Sequence, residues 1–145
     1  MMTPALSATT SAMFEALRQK LGSQVQSVRA DREDEIYILL GDSDVRPITE
    51  HLLGDFGARL VTVFAEDRRA TEGVFFLYYV FEQKGSAQFL IVQAPVRSGS
   101  LEFPSLSAAL PALNWQEREI QDWFGLKAVG HPNPRRVAQI GRAHV

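Results

Sequence analysis

The chain has 145 residues, enough for one domain that buries a sizeable core. Its 46% hydrophobic and 22% charged residues are a globular composition, and the absence of cysteine excludes disulfides, thiolate metal or iron–sulfur sites and cysteine nucleophiles within it. A net charge of −2 with no basic stripe argues against nucleic-acid binding, and the longest apolar run, Val74 to Phe81, falls far short of the ~20 residues of a membrane span.

Residues 1–10 are small and polar and read as a flexible N-terminus without the features of a secretory signal. Met13, Phe14, Leu17 and Leu21 recur at helical spacing and predict a helix over Ser11–Leu21, stopped by Gly22. Gln24–Ala30 and Glu35–Leu40 read as two strands of a hairpin. Val45–Phe56 reads as a second helix, with Asp44 as N-cap, Pro47 in the first turn and Ile48, Leu52, Leu53 and Phe56 as its apolar stripe. Three strands follow, Arg59–Ala65, Val74–Glu82 and Ala87–Val96, joined by polar links that suit antiparallel hairpins.

This order, α-β-β-α-β-β-β plus a short C-terminal helix, predicts a two-layer α+β domain over 11–126, with helices on one face of a mainly antiparallel sheet. Residues 127–145 form a strap and tail. Val74–Glu82 is apolar on both faces, where a half-exposed strand would alternate. Either the domain covers this strand on both sides, or its second face is covered by another subunit.

Usual catalytic signatures are missing. The chain contains no dinucleotide or Walker glycine loop and no G-x-S-x-G elbow. His51, His131 and His144 lack metal-ligand spacing. His51 reads as a packed or surface histidine, and His144 lies in a polar tail.

The specific text lies between Pro104 and Arg136. Asn114 with Glu117 three residues on resembles a capping box, and Gly125 is a stop, so Trp115–Phe124 should be a short helix. On its wheel Trp115, Arg118, Glu119, Asp122 and Leu126 share one broad side, and Ile120, Trp123 and Phe124 fill the adjoining arc. Charges thus sit beside aromatics. Arg118 and Asp122 are spaced to pair, either as a weak surface pair or as a partly buried one that requires its partner. Beyond Val129, Pro132 and Pro134 force an extended or turning path that carries His131, Arg135 and Arg136 as a stiff docking strap.

Glu117-Arg118-Glu119, Asp122, Phe124-Gly125, Gly130-His131-Pro132 and Arg135-Arg136, with Pro104-Ser105 and Trp115 as lead-in, resemble the C-type (thirty-kilodalton) subunit family of respiratory NADH dehydrogenase (complex I). The same domain occurs in membrane-bound [NiFe] hydrogenases of the formate hydrogenlyase and hydrogenase-4 type. Trp123 departs from the family, which commonly has a smaller residue there. Family members also run past the paired arginines into a Pro-Leu-Arg-Lys-like tail, whereas this sequence stops at Val145.

The resemblance implies a non-redox scaffold of NADH:quinone oxidoreductase, peripheral on the cytoplasmic side of the inner (plasma) membrane. Its partners would be the quinone-site subunit, or the homologous [NiFe] hydrogenase large subunit, and a neighbouring iron–sulfur subunit. NADH, FMN, iron–sulfur clusters and quinone would be bound by partner subunits, and this chain would hold no catalytic, cofactor or metal residue. Its motif residues would lie at the partner interface. A third reading, from another class, is a free-standing small-molecule enzyme using His131 with Asp122 or Glu119 as an acid–base pair.

Overall fold

A computed structural model describes residues 8–32, 34–41, 44–83, 85, 88–97 and 99–135. Arg136, His144 and the rest of 136–145 lie outside the described residues, as do residues 1–7. Helix α1, Ala8–Leu21, begins inside the segment expected to be flexible. A hairpin follows, β1 (Val25–Arg32) and β2 (Glu35–Leu40), then helix α2 (Arg46–Gly54). Strand β3 (Arg59–Arg68) runs three residues beyond its predicted end and passes into a one-turn helix, α3 (Arg69–Glu72). Strands β4 (Val74–Glu82) and β5 (Phe89–Arg97) complete the main sheet.

The sheet has five strands in the order β1-β2-β5-β4-β3. All neighbours are antiparallel except β2 and β5, which run parallel with Ile36 opposite Leu90 and Ile38 opposite Val92. The α+β class and the mainly antiparallel sheet are therefore as the sequence predicts. The parallel contact is new, and it puts β5 in the middle with β4 as an interior strand beside it.

One face of β4, formed by Phe75, Leu77, Tyr79 and Phe81, lies in the core with Ile36, Ile38, Ile48, Leu52, Leu90 and Val92. Ile48 and Leu52 of α2 are fully buried there, as their spacing predicts, and Leu53 and Phe56 pack against the same core. The N-cap of α2 is Val45 and not Asp44 as expected; Asp44 stands one residue before it, its carboxylate accepting the Arg46 N–H at 3.1 Å. His51 is a packed histidine with its ring edge-on to Phe56.

The opposite face of β4 is covered only in part, with Val74 and Phe76 buried. Tyr78 and Val80 are only half-buried, and their neighbours Phe64 on β3 and Phe89 on β5 are exposed. A shallow hollow of about 650 Å³ opens there. Its floor is organised by side-chain pairs. Phe64 stacks on Tyr78 at 5.0 Å, the Tyr78 hydroxyl donates to Glu66 at 2.6 Å, and Arg29 donates to Gln93 at 3.2 Å while lying over Tyr37.

Candidate interaction surface

The C-terminal segment is a small module fastened to the β3 side of the sheet. Strand β6 (Glu102–Pro104) pairs in parallel with β7 (Lys127–Val129), placing Phe103 opposite Ala128. Helix α4, Asn114–Phe124, connects them after a 3₁₀ turn at Pro111–Leu113. Neither three-residue strand was predicted. Phe103, Leu106, Leu113, Ile120, Leu126 and Ala128 are buried and continue the main core. Phe124 meets Phe75 edge-on at 6.1 Å, which ties the helix to β4.

The capping-box expectation is not met. Asn114 is the first residue of α4, and no side chain caps the helix. Glu117 is instead fully buried and grips the loop after β6. Its carboxylate accepts hydrogen bonds from Ser105 Oγ at 2.5 Å, the Leu106 N–H at 2.7 Å and Ser107 Oγ at 2.5 Å. Three donors supply what a buried carboxylate loses when it leaves water. They also knit a distant loop to the helix, which a local cap would not do. The Ser105 hydroxyl in turn accepts the Ser107 N–H at 3.1 Å. Ser107 was absent from the predicted site, although two hydroxyls at alternate positions beside Pro104 are the only local hint of it.

His131 completes this cluster from the strap. Its ring is fully buried, with Nε2 4.0 Å from the Glu117 carboxylate. Nδ1 accepts the Asn133 N–H at 2.9 Å, so the proton sits on Nε2, which lies 3.2 Å from the Asn114 carbonyl. Both nitrogens are thus spent on backbone groups. Glu117 and His131 lie inside the chain, so neither presents a side chain to a partner, and an acid–base role for His131 has no free nitrogen to use. Below them, the Tyr79 hydroxyl is buried without a hydrogen-bond partner. Burial holds this phenol far above its ordinary pKa, and the Glu117 charge adds to the effect.

Gln121, also unpredicted, joins helix and strap from both ends of its amide. It accepts the Ala128 N–H at 2.9 Å and donates to the Pro134 carbonyl at 3.3 Å. Arg118 donates to the Arg135 carbonyl at 2.6 Å and lies 5.8 Å from the centre of the Trp115 ring. Arg135 bonds the Asn133 side chain at 3.0 Å. Asp122 is buried. Gly125 and Gly130 adopt φ values of 70° and 89°, the left-handed region that glycine enters without a Cβ clash. They end the helix and turn the strap back toward it.

Other residues of the module face outward. Trp115 is 55% and Trp123 72% exposed. Pro132 and Arg135 are exposed on the strap, and Glu119 faces β3. Among the described residues, no three His, Asp or Glu side chains are grouped as metal ligands would be. No described helix is long and apolar enough to cross a membrane.

Fold and cluster together define a small α+β domain whose C-terminal module is pinned by one buried carboxylate and turns an aromatic face outward. The chain belongs to the family described as the respiratory-chain NADH dehydrogenase 30 Kd subunit, which residues 38–139 match. It is 29% identical over 127 residues to hydrogenase-4 component G of Escherichia coli, covering 87% of this chain and 23% of that protein. It is 29% identical over 135 residues to the C-type subunit of NADH-quinone oxidoreductase from Ruegeria pomeroyi, covering 86% of this chain and 66% of the relative. Formate hydrogenlyase subunit 5 of Escherichia coli is 31% identical over 72% of the chain, which spans only 19% of that protein. The fold matches a chain of the membrane-bound sulfane sulfur reductase, an archaeal respiratory membrane complex, with a TM-score of 0.76 over 93% of this chain and 81% of that one, at 16% identity. It also matches the trypsin-resistant fragment of Nqo5 with a TM-score of 0.66 over 83% of this chain and 98% of the fragment, at 17% identity.

Proposed function

We propose that this chain is a non-redox scaffold domain of a membrane-associated oxidoreductase of the complex I type. It docks on the quinone-site subunit and a neighbouring iron–sulfur subunit, at the cytoplasmic side of the membrane, and supports electron transfer from NADH to quinone that it does not itself carry. The observation that carries this reading is the family match over residues 38–139. The geometry agrees with it. Glu117, Arg118 and His131 of the motif hold the C-terminal module together, and its outward surface includes two tryptophans, a residue type enriched at protein interfaces. NADH, FMN, iron–sulfur clusters and quinone then belong to partner subunits.

A second reading has specific support. Similarity to hydrogenase-4 component G and formate hydrogenlyase subunit 5 fits an equivalent domain of a membrane-bound [NiFe] hydrogenase, docked on the nickel-site large subunit.

Affinity purification of the tagged chain from its own cells, with identification of its stoichiometric partners, tests both. Quinone-site and flavin subunits are expected for the first reading, and a large subunit with paired C-x-x-C motifs marks the second. The purified chain alone should contain no stoichiometric flavin, iron or nickel by absorption and metal analysis. Finding any of these, or recovering the chain from cells as a free monomer, overturns the scaffold reading.

A further inference from the structure

Strand β3 is one edge of the five-stranded sheet. Sheet edges pair readily with other chains unless charge, proline or a bulge blunts them. β3 has a bulge between Leu60 and Thr62, and charged residues from Glu66 onward. Between these ends Thr62, Val63, Phe64 and Ala65 carry neither charge nor proline. Along such a stretch the backbone N–H and C=O groups of alternate residues face away from β4, and among the described residues they have no hydrogen-bond partner.

Helix α4 runs beside this stretch and leaves a groove of about 320 Å³ against it. The helix wall contains Gln116, Glu119, Ile120 and Trp123. Three of these side chains have unfinished chemistry. The Gln116 amide oxygen is buried without a hydrogen-bond partner. The Glu119 carboxylate has no hydrogen-bond or ion-pair partner among the described residues. Trp123, 72% exposed, forms an apolar shelf beside them.

We infer that this groove receives an extended segment of a neighbouring subunit, which adds as a further strand to β3 and extends a Lys or Arg toward Glu119 and Gln116. A strand is the occupant because β3 is a sheet edge with no further strand beside it among the described residues, and another extended backbone matches its donors and acceptors in register. The side chain is basic because the Gln116 amide oxygen and the Glu119 carboxylate are both acceptors, and a cation with several N–H groups satisfies the two together. A second copy pairing through its own residues 62–65 would bring no Lys or Arg to these acceptors. The arginines at the two ends of β3 are already bound, Arg59 to Glu82 and Arg68 to Glu66 and Glu72. Apolar residues flanking the basic one would lie against Trp123 and Ile120.

This inference deepens the docking reading and rests on it, so the test separates them. Amide hydrogen exchange is measured on the free full-length chain and on the purified native assembly. The outward amides within residues 62–65 should exchange at least tenfold more slowly in the assembly. A photo-crosslinker at Thr62 should capture one partner peptide with Lys or Arg between apolar residues. Glu119→Lys should melt like the wild type yet be retained at least tenfold less well. An intact assembly with unchanged β3 exchange, or normal retention of Glu119→Lys, overturns the strand and leaves the docking reading standing. A partner-independent dimer that protects the same amides overturns the proposed occupant. A chain that joins no assembly overturns both.

Discussion

On the inner side of α4 a carboxylate, Glu117, is fully buried, while on the outer side two tryptophans stand 55% and 72% exposed. Ranking by hydrophobicity would place these residues the other way round. The inner side is settled by supply of partners. Three donors converge on Glu117, so its burial leaves no acceptor wanting. The outer side is open, since no described element covers Trp123. Burial of an acid and exposure of an aromatic are both informative, the first about how the module is held and the second about which face the described residues leave open.

The sharpest way to break this contrast is Glu117→Ala. It removes the common acceptor of two hydroxyls and one N–H, and should cost about 3–5 kcal/mol in urea unfolding of the isolated chain. A loss below about 1 kcal/mol would mean that the loop and helix are held by apolar packing alone. His131→Ala should cost about 1–3 kcal/mol, because the Asn133 N–H and the Asn114 carbonyl lose their shared ring. The strap should then become protease-sensitive before the sheet does. Tyr79→Phe sharpens the contrast with the opposite sign. It deletes a buried hydroxyl that has no partner, so it should leave stability unchanged or raise it by up to about 1 kcal/mol. A clear loss in thermal melting would show that the hydroxyl is bonded through water.

Effects on the exposed side should be small. The hydrogen bond from the Arg46 guanidinium holds the Asp44 carboxyl below its ordinary range, against the opposing effect of partial burial. A lowered folded pKa means a contribution that is present above the unfolded value and lost as pH falls through the folded one. Solvent screening keeps it to a few tenths of a kcal/mol. Asp44→Asn should therefore reduce stability slightly at pH 7 and by less at pH 2, as measured by paired denaturation curves. Trp123→Ala should shift the stability of the isolated chain by no more than about 0.5 kcal/mol. A larger loss would place that ring in the fold and not at a surface held for a partner.

Much of the fold was legible because its signals are local. The apolar stripe of α2, the unbroken apolar run of β4 and the stop at Gly125 each lie within one element. The pairing of β2 with β5 was not, since parallel neighbours share no turn whose residues could announce them. Strands β6 and β7 are too short for a period-two pattern to emerge. The site shows the same limit. Asn114 and Glu117 carry the spacing of a capping box, yet the carboxylate bonds a loop whose donors lie 10, 11 and 12 positions before it. Local spacing identified the right glutamate and assigned it the wrong partner. Whether the second face of β4 was covered could not be read at all, because a strand's own residues do not say what packs above them.

The parallel contact also bears on how the chain reaches this structure. Strands β3, β4 and β5 follow one another and can zip as a meander through short closures. The first hairpin can join them only when β2 meets β5 across the whole of α2, β3 and β4, and that closure must be achieved before its contacts return anything. The joining of β2 to β5 is therefore expected to be the late event. Trimming Ile38→Val should speed unfolding and leave the refolding rate nearly unchanged, whereas trimming Ile91→Val in the meander should slow refolding, a difference that stopped-flow chevrons resolve.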